Sequence, residues 1–282
     1  MKLLTWNIQW GRGVDGRVDL DRIVAHARRF ADFDVLCLQE VSAAYPELPG
    51  CDGSDQFAAI AKRLPAFVAI DGVATDTPHP QSGRRRFGNM VLSRLPVGPV
   101  FRHLLPWPAD PDSMSMQRVA VEATVQAEFG PVRVITTHLE YYSVRQRRAQ
   151  VDRLRALHAE AVEQAQCTRP GGAQDGPFHH VPRAASAVLC GDFNCGPTSE
   201  ERQRLMAPID GGTPRFIDAW EIMYPRREHE PTLGVHDHEQ WPEPLSFDTV
   251  YVSADVAPRV KAMEIDASSD ASDHQPVMVE IR

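Results

Sequence analysis

Seven short apolar runs, spaced along the whole chain, constrain its fold more than any other feature of the sequence. Each run has four to seven residues, is rich in Val, Ile and Leu, and is bounded by Gly, Pro or charged residues. Such runs are typical of buried strands, although a short core helix can have the same pattern. The predicted strands are Lys2–Ile8, Asp34–Gln39, Asn89–Ser93, Val132–Thr137, Ala187–Cys190, Ser246–Val252 and Pro276–Ile281.

Amphipathic stretches lie between several of these strands and alternate with them. Three are predicted helices, over Asp19–Ala31, Ser54–Leu64 and Ser143–Gln166. Ser54 is the predicted N-cap of the second helix. Two polar segments, Thr75–Arg86 and Thr168–Arg183, are predicted surface loops. Because the 282 residues contain no repeat, linker or sustained shift in composition, the sequence favours one α/β domain over residues 1–282.

Charge, cysteines and hydropathy exclude several classes of protein. The net charge of −8 argues against coating of nucleic acid, which depends on neutralising phosphates with Lys and Arg. The five cysteines lack zinc-type spacing, and Cys37 and Cys190 lie in apolar runs that predict buried, reduced thiols. No segment has the length and apolar character of a signal peptide or membrane span, so we expect a cytoplasmic protein without membrane insertion. Nothing in the sequence indicates an obligate protein partner.

Polar residues that can bind a metal ion or transfer a proton adjoin five of the predicted strands. They are Asn7, Gln39-Glu40, His138, Asp192 with Asn194, and Asp273-His274. Strand ends lie at the rim of an α/β sheet, where carboxylates avoid the full cost of burial and distant segments can meet. The sequence therefore predicts one polar site, assembled at a sheet edge from residues spread along the chain.

The motifs at these strand ends carry a resemblance to a known superfamily. TWNIQ, LQE, GNMVLSR, TTHLE, GDFN, FDTVYVS and SDHQP occur in the order found in the endonuclease/exonuclease/phosphatase superfamily. The resemblance extends from Asn7 to His274 and is closest to the deoxyribonuclease I-like and neutral-sphingomyelinase-like branch. It implies a four-layered α/β sandwich with two central mixed β-sheets and an active site at one edge.

The resemblance also implies a divalent metal ion. Glu40 matches the principal metal-binding glutamate of the family, with Asn7 beside it and Asp273 approaching the same ion. Oxygen ligands and a partly hydrated shell suit Mg²⁺, and Mn²⁺ is expected to replace it. Gln9 departs from the pattern, because several relatives carry Asp two residues after the asparagine of the first strand.

Five residues take catalytic roles by the same resemblance. His274 matches the histidine that contacts the scissile phosphate, and Asp248 matches the aspartate that orients this imidazole. Asp192 is expected to position or deprotonate the attacking water, and Asn194 to donate a hydrogen bond to a phosphate oxygen. His138 is expected to stabilise the pentacovalent phosphorus or protonate the leaving oxygen, and it argues against the apurinic endonuclease branch, which has tyrosine there.

Substrate-binding residues are less clearly indicated. The candidates are Asn89, Arg118 and Tyr142. Two groups of arginines, one over Arg84–Arg86 and one of Arg145, Arg147 and Arg148, could hold a further phosphate or lie on solvated surfaces. The aromatic residues Tyr141, Tyr142, Trp107 and Trp241 could floor a pocket for a base or lipid headgroup, or serve in packing.

These observations favour a metal-dependent phosphoesterase, above all a phosphodiesterase in which water attacks phosphorus in line. Its expected partner is a phosphoester, either a small molecule or a nucleic acid. Alternatives are a DNA or RNA nuclease that uses the arginine groups, and a phosphomonoesterase acting on a sugar or inositol phosphate. A catalytically silent binding module on the same fold is disfavoured, because the complete set of candidate catalytic residues is present.

Overall fold

The computed structural model describes residues 1–80, 83–167 and 182–282. Within these residues, two six-stranded sheets form the centre of the protein. In spatial order, the first sheet contains β11 (Val260–Ile265), β12 (Val277–Ile281), β1 (Lys2–Asn7), β2 (Val35–Ala43), β4 (Gly83–Ser93) and β3 (Val68–His79). The second contains β5 (Val97–Leu104), β6 (Val119–Ala127), β7 (Gly130–His138), β8 (Ala187–Asp192), β10 (Asp248–Ser253) and β9 (Phe216–Asp218).

Both sheets are mixed. In the first sheet β1 and β2 run parallel, and in the second β7 and β8 do so, whereas the other neighbours are antiparallel. Parallel neighbours end at the same edge of a sheet, so each sheet brings the carboxyl ends of two strands together.

The described residues form the helices α1 (Leu20–Phe30), α2 (Gln56–Arg63), α3 (Val144–Gln166), α4 (Glu200–Met206) and α5 (Ala219–Met223). Helices α1 to α4 cover the outer faces of the two sheets, whereas Ala219 and Trp220 of the short α5 pack into the core between the sheets. The three predicted helices are present as α1, α2 and α3. In α2 the N-cap is Asp55, whose side chain accepts a bond from the Ala58 amide, and not Ser54 as predicted. None of the helices in the described ranges combines the length and hydropathy needed to cross a membrane.

Alternation along the strands divides the apolar residues among three cores. In β1, Leu3 faces the core between the two sheets, whereas Leu4 and Trp6 pack toward α1 and α2. In β8, Val188 faces the inner core and Leu189 packs toward α3 and α4. The result is a stack of helices, sheet, sheet and helices, which confirms the predicted four-layered sandwich. Cys37 and Cys190 are buried and unpaired in the inner core, as predicted.

One predicted loop is wrong. Residues Thr75–His79 continue β3, and Gly83–Arg86 begin β4, so most of Thr75–Arg86 is a paired β-ribbon. The segment is polar on both faces, and its pairs are held by side chains such as Arg84 on Asp76, so no apolar run marks it. Of the second predicted loop, Thr168–Arg183, only Pro182 and Arg183 are described; residues 168–181 lie outside the described ranges.

Candidate active site

The parallel strand pairs bring four of the sequence-predicted residues to one edge of the sandwich. Asn7 ends β1 beside Gln39 of β2, and Glu40 follows Gln39. In the second sheet, His138 ends β7 directly beside Asp192 at the end of β8. Asn7 and Asp192 then join the two sheets, because Asn7 Nδ2 donates to Asp192 Oδ2 at 3.0 Å.

A β-bulge presents Glu40 to this edge. The pairing of β2 with β4 shifts between Leu38 and Val41, and Glu40 adopts a left-handed backbone with φ of 60°. Its side chain is 18% exposed and accepts a hydrogen bond from Asn7 Nδ2 at 3.1 Å. Burial and then the nearby Asp273 carboxylate raise the pKa of Glu40 to about 7. Glu40 is therefore a largely enclosed carboxylate that is influenced by a second carboxylate.

Asn7 orients the surrounding carboxylates with its amide nitrogen. Its Nδ2 donates to both Glu40 and Asp192, while its Oδ1 accepts a hydrogen bond from the backbone N–H of Gln9 at 3.1 Å. That last bond identifies the oxygen, since a side-chain nitrogen could not accept there. In this arrangement Asn7 is a hydrogen-bond donor to the carboxylates, and its role as a metal ligand stays a prediction.

Asp273 is held by neutral donors. Its Oδ2 accepts from Gln9 Nε2 at 3.0 Å and from the Trp241 indole at 3.1 Å, and Ser272 Oγ donates to its Oδ1 at 3.2 Å. Gln9, which departs from the family pattern, thus contacts the site directly. Where several relatives carry an aspartate, this protein has the neutral side-chain amide of Gln9. The amide donates a hydrogen bond to Asp273 and so orients that carboxylate without adding negative charge.

His274 and Asp248 form a buried pair. His274 Nδ1 lies 2.8 Å from Asp248 Oδ2, which also accepts a bond from Thr232 Oγ1 at 2.8 Å. Burial alone would lower the pKa of His274, but the carboxylates, first of all Asp248, raise it well above its ordinary value. The pair fixes the ring so that Nε2 lies 3.8 Å from Asp192 Oδ2.

His138 faces the same carboxylate from the neighbouring strand. Its Nε2 lies 3.5 Å from Asp192 Oδ2, and its Nδ1 lies 3.9 Å from Glu40 Oε1. Burial, followed by the positive charge of Arg118, lowers the pKa of His138 to about 3, so this ring is neutral. Two imidazoles of different charge therefore flank Asp192.

The turn after β8 positions Asp192 and Asn194. A Cβ atom on Gly191, where φ is 131°, would lie 1.9 Å from the Thr137 carbonyl oxygen, so the close approach of β8 to β7 requires glycine. Asp192 Oδ1 accepts a hydrogen bond from the backbone N–H of Asn194 at 2.8 Å. Asn194 adopts φ of 50°, and its Nδ2 donates to the Leu139 carbonyl at 2.8 Å.

The carboxylates fit a hard divalent cation. Glu40 and Asp273 lie close enough for the Asp273 charge to raise the pKa of Glu40, and the side chains described as donating to them are neutral. Oxygen ligands of this kind suit Mg²⁺ or Mn²⁺. Asp192, Asp248 and His274 also present atoms within 4.8 Å of one another, but His274 Nδ1 is occupied by Asp248. Glu40 and Asp273 as the metal ligands stay a prediction, which their carboxylate oxygens fit.

A cavity of about 300 Å³, which we call the reaction cavity, is lined by most of these site residues: Gln9, Glu40, His138, Asp192, Asn194, Asp273 and His274. Arg118 and Tyr142 line it too, and Arg118 is 7% exposed with its Nε donating to Glu140 at 3.1 Å. Asn89 lies elsewhere: it is 2% exposed, and its Nδ2 donates to the Val119 carbonyl at 3.0 Å. Asn89 thus links the two sheets, and nothing in its contacts supports the predicted role in substrate binding.

Several residues that line the reaction cavity had no clear signal in the sequence. Trp10, Phe87, Met116, Leu233 and Gln240 belong to this group. They lie on loops or inside strands, and only their position in the fold brings them to the cavity. Trp241 was among the aromatic residues predicted to floor a pocket, and it lines the reaction cavity, but the sequence did not indicate its bond to Asp273.

Both predicted arginine groups are occupied by partners within the protein. Arg84, Arg85 and Arg86 form ion pairs with Asp76, Glu47 and Asp55, at 2.6, 3.6 and 2.6 Å. The second group is engaged as well: Arg145 donates to the Ala109 carbonyl, Arg147 to those of Glu140 and Tyr141, and Arg148 to Glu200 and Glu201. The structure therefore gives these arginines roles in holding loops and helices.

The two sheets and the polar site at their shared edge define a class of phosphoester hydrolase. The sequence model of the Endonuclease/Exonuclease/phosphatase family matches residues 4–274. The chain belongs to that family, whose members hydrolyse phosphoesters and are generally dependent on divalent metal ions. No curated protein matches the chain in sequence.

Solved structures of family members have the same fold. An endonuclease/exonuclease/phosphatase from Beutenbergia cavernae is 25% identical, with a TM-score of 0.65 over 100% of this chain and 71% of that chain. The 3′ phosphatase NExo from Neisseria, bound to a product DNA hairpin, is 21% identical, with a TM-score of 0.62 and coverage of 100% and 99%. A mannosyl-6-phosphatase from Bacteroides thetaiotaomicron is 15% identical, with a TM-score of 0.64 and the same coverage.

Proposed function

We propose that this protein is a Mg²⁺-dependent phosphodiesterase, in which Mn²⁺ can replace Mg²⁺. The observation that carries the proposal is the pair of imidazoles, His138 and His274, that flank Asp192 at 3.5 and 3.8 Å. Such an arrangement supports a water molecule at Asp192 and a phosphate between the two rings. Glu40 and Asp273 would hold the metal ion, which supplies neutralisation of the phosphate charge when bound.

Each side chain has a role that its contacts support. Asp192 orients the attacking water and accepts its proton, because its Oδ2 faces the cavity between the imidazoles. His274 is held by Asp248 with its Nε2 free to donate to an equatorial phosphate oxygen. Neutral His138 donates to the pentacovalent phosphorus group or the leaving oxygen, and Asn194 lies beside Asp192 to contact the phosphate.

The charge of the reaction cavity favours a diester over a monoester. A phosphodiester carries one negative charge near neutral pH, whereas a monoester carries close to two. Among the described residues that line the cavity, Arg118 supplies the one guanidinium, and its Nε is already bonded to Glu140. The side chains of both arginine groups already donate to carboxylates or backbone carbonyls within the protein, which supports a small diester over a nuclease substrate.

The test is hydrolysis of bis(p-nitrophenyl) phosphate and of p-nitrophenyl phosphate, with Mg²⁺, Mn²⁺ or EDTA. We expect metal-dependent cleavage of the diester, reduced by about 10³-fold in His274→Ala. His229→Ala is the matched control, because His229 pairs with Asp218 at 3.1 Å and does not line the reaction cavity. Its activity should equal that of the wild type.

Other outcomes decide among the alternatives. Cleavage of the monoester alone would replace the proposal with a phosphomonoesterase. Heparin inhibition and a steep salt dependence of activity would favour the nuclease. Failure of the metal-loaded protein to cleave either compound would contradict the proposal and favour a binding module.

A further inference from the structure

A second and larger cavity opens beside the reaction cavity. Its volume is about 570 Å³, against about 300 Å³ for the reaction cavity. The two cavities share Phe87 and Met116 as common wall residues. A group bonded to a phosphate in the reaction cavity can therefore extend past these two side chains into the larger space, which we call the side cavity.

Aromatic rings form much of the wall of the side cavity. Tyr45 and Phe87 pack edge to face, with ring centroids 6.2 Å apart, and Trp107 also lines the cavity. Trp107 is 51% exposed, yet its indole nitrogen donates to Ser115 Oγ at 2.9 Å, which restrains the ring. An exposed tryptophan held in place offers a ready face for stacking, since little side-chain freedom is lost on binding.

The charged groups of the side cavity are already neutralised. Arg85 lies over the Tyr45 ring, 5.1 Å from its centroid, donates to Thr77 Oγ1 and pairs with Glu47. Asp76 pairs with Arg84 at 2.6 Å. Among the described lining residues, no unpaired charge is therefore present to bind a second phosphate or an ammonium group. An uncharged group fits this wall better.

We propose that the side cavity binds an uncharged aromatic ring system carried on one ester arm of the substrate. The inference rests on the proposed function, because it takes the phosphate of that substrate to lie in the reaction cavity. It adds the chemical class of the substrate: a phosphodiester with one planar aromatic arm. Such a ring stacks on Trp107 and packs against Tyr45 and Phe87.

The experiment uses phosphonates at about pH 6, where each carries mainly one negative charge as a diester does. They contain no ester bond and cannot be hydrolysed. Binding of methyl-, cyclohexyl-, phenyl- and 2-naphthylphosphonate to the Mg²⁺-loaded protein is measured by calorimetry. We expect 2-naphthylphosphonate to bind at least about tenfold more tightly than methylphosphonate, with phenyl tighter than cyclohexyl. Trp107→Ala should remove most of the naphthyl preference, Trp107→Phe should retain it, and the affinity for methylphosphonate should stay unchanged.

Leu104→Ala is the matched control. Leu104 is an exposed apolar residue, 61% exposed, that lines neither cavity, so its loss should leave all four affinities unchanged. Equal affinities of the methyl and naphthyl compounds, equal affinities of the phenyl and cyclohexyl compounds, or a naphthyl preference that survives in Trp107→Ala would each overturn the inference. The outcome is separable from the proposed function, because phosphonate binding is measured without turnover.

Discussion

Among the charged groups that the structure describes, the cluster around Glu122 and the pair of Glu40 and Asp273 have opposite electrostatic surroundings. In the Glu122 cluster, a carboxylate that is 0% exposed accepts bonds from Arg183 at 2.9 Å and lies 3.6 Å from Arg133. His103 completes the pairing at 3.3 Å. In the active site, Glu40 and Asp273 have only neutral donors among the described side-chain contacts and lie beside each other.

The comparison shows that burial alone does not set the behaviour of a glutamate. Burial would raise the pKa of Glu122, but the His103 hydrogen bond and the charges of Arg133 and Arg183 outweigh it and lower that pKa. At Glu40, burial and the Asp273 charge act in the same direction and raise the pKa to about 7. The Glu122 carboxylate is therefore charged and matched by cations, whereas negative charge on Glu40 is unfavourable until a cation binds there.

The largest effect that separates the two clusters is expected from Glu40→Gln. Turnover should fall by about 10³-fold or more, because a carboxylate proposed to bind the metal ion is lost. The free energy of unfolding in EDTA should not decrease, since the repulsion between Glu40 and Asp273 is removed. Thermal unfolding with EDTA or Mg²⁺ checks both points: Mg²⁺ should raise the melting temperature of the wild type but not that of the variant. A strongly destabilised variant in EDTA would contradict this account of Glu40.

The reverse result is expected from Glu122→Gln. This change leaves Arg133 buried without its carboxylate partner and leaves Arg183 with only the half-exposed Glu160, so the free energy of unfolding should fall by about 3–5 kcal/mol. Diester turnover per folded molecule should be unchanged, because Glu122 does not line the reaction cavity. Urea unfolding followed by circular dichroism, together with active-site titration, measures both quantities. Loss of turnover in the folded variant would show that the two clusters are coupled.

A smaller, pH-dependent effect is expected at His158 beside the Glu122 cluster. His158 is 0% exposed, Arg133 donates to its Nδ1 at 2.6 Å, and its Nε2 lies 2.8 Å from the Pro214 carbonyl oxygen. Burial, followed by the Arg133 charge, lowers the pKa of His158 to about 4. Between about pH 6.5 and 4 the unfolded chain therefore binds this proton more tightly than the folded chain, and stability falls as pH falls.

The contribution of His158 to that loss is at most about 3 kcal/mol, and it is absent above about pH 6.5. His158→Gln keeps an acceptor and a donor but does not titrate, so its stability should depend less on pH across this window. Urea unfolding of both proteins at several pH values gives the difference. If the free energies of unfolding of the wild type and the variant changed with pH in parallel, a titrating His158 would be ruled out.

The sequence predicted the parts of the fold and site that depend on local pattern. The apolar runs located strands in both sheets, and the polar residues at their ends meet at one edge, because parallel neighbours share their carboxyl ends. The β3–β4 ribbon was missed, since its two faces are polar and its stability comes from cross-strand pairs. Local pattern also could not show that Asn89 links the sheets, or that Gln9 holds Asp273.

The side cavity shows a further limit of sequence interpretation. Tyr45, Phe87 and Trp107 belong to three separated segments, and each alone is an ordinary aromatic residue. Their meeting depends on the β-ribbon and on the loop before β6, whose backbone path no local pattern specifies. Distant contacts of this kind are visible only after the strands have been assembled.

The backbone at Glu40 has a consequence for laboratory evolution. A non-glycine residue at φ of 60° costs of order 1 kcal/mol or more, and glycine or asparagine adopts this conformation more easily. A library screened for heat resistance alone, in the presence of a chelator, should therefore enrich Gly and Asn at position 40. Under the proposed function these variants would lack a metal ligand, so thermostable descendants of this protein must be selected with turnover in the screen.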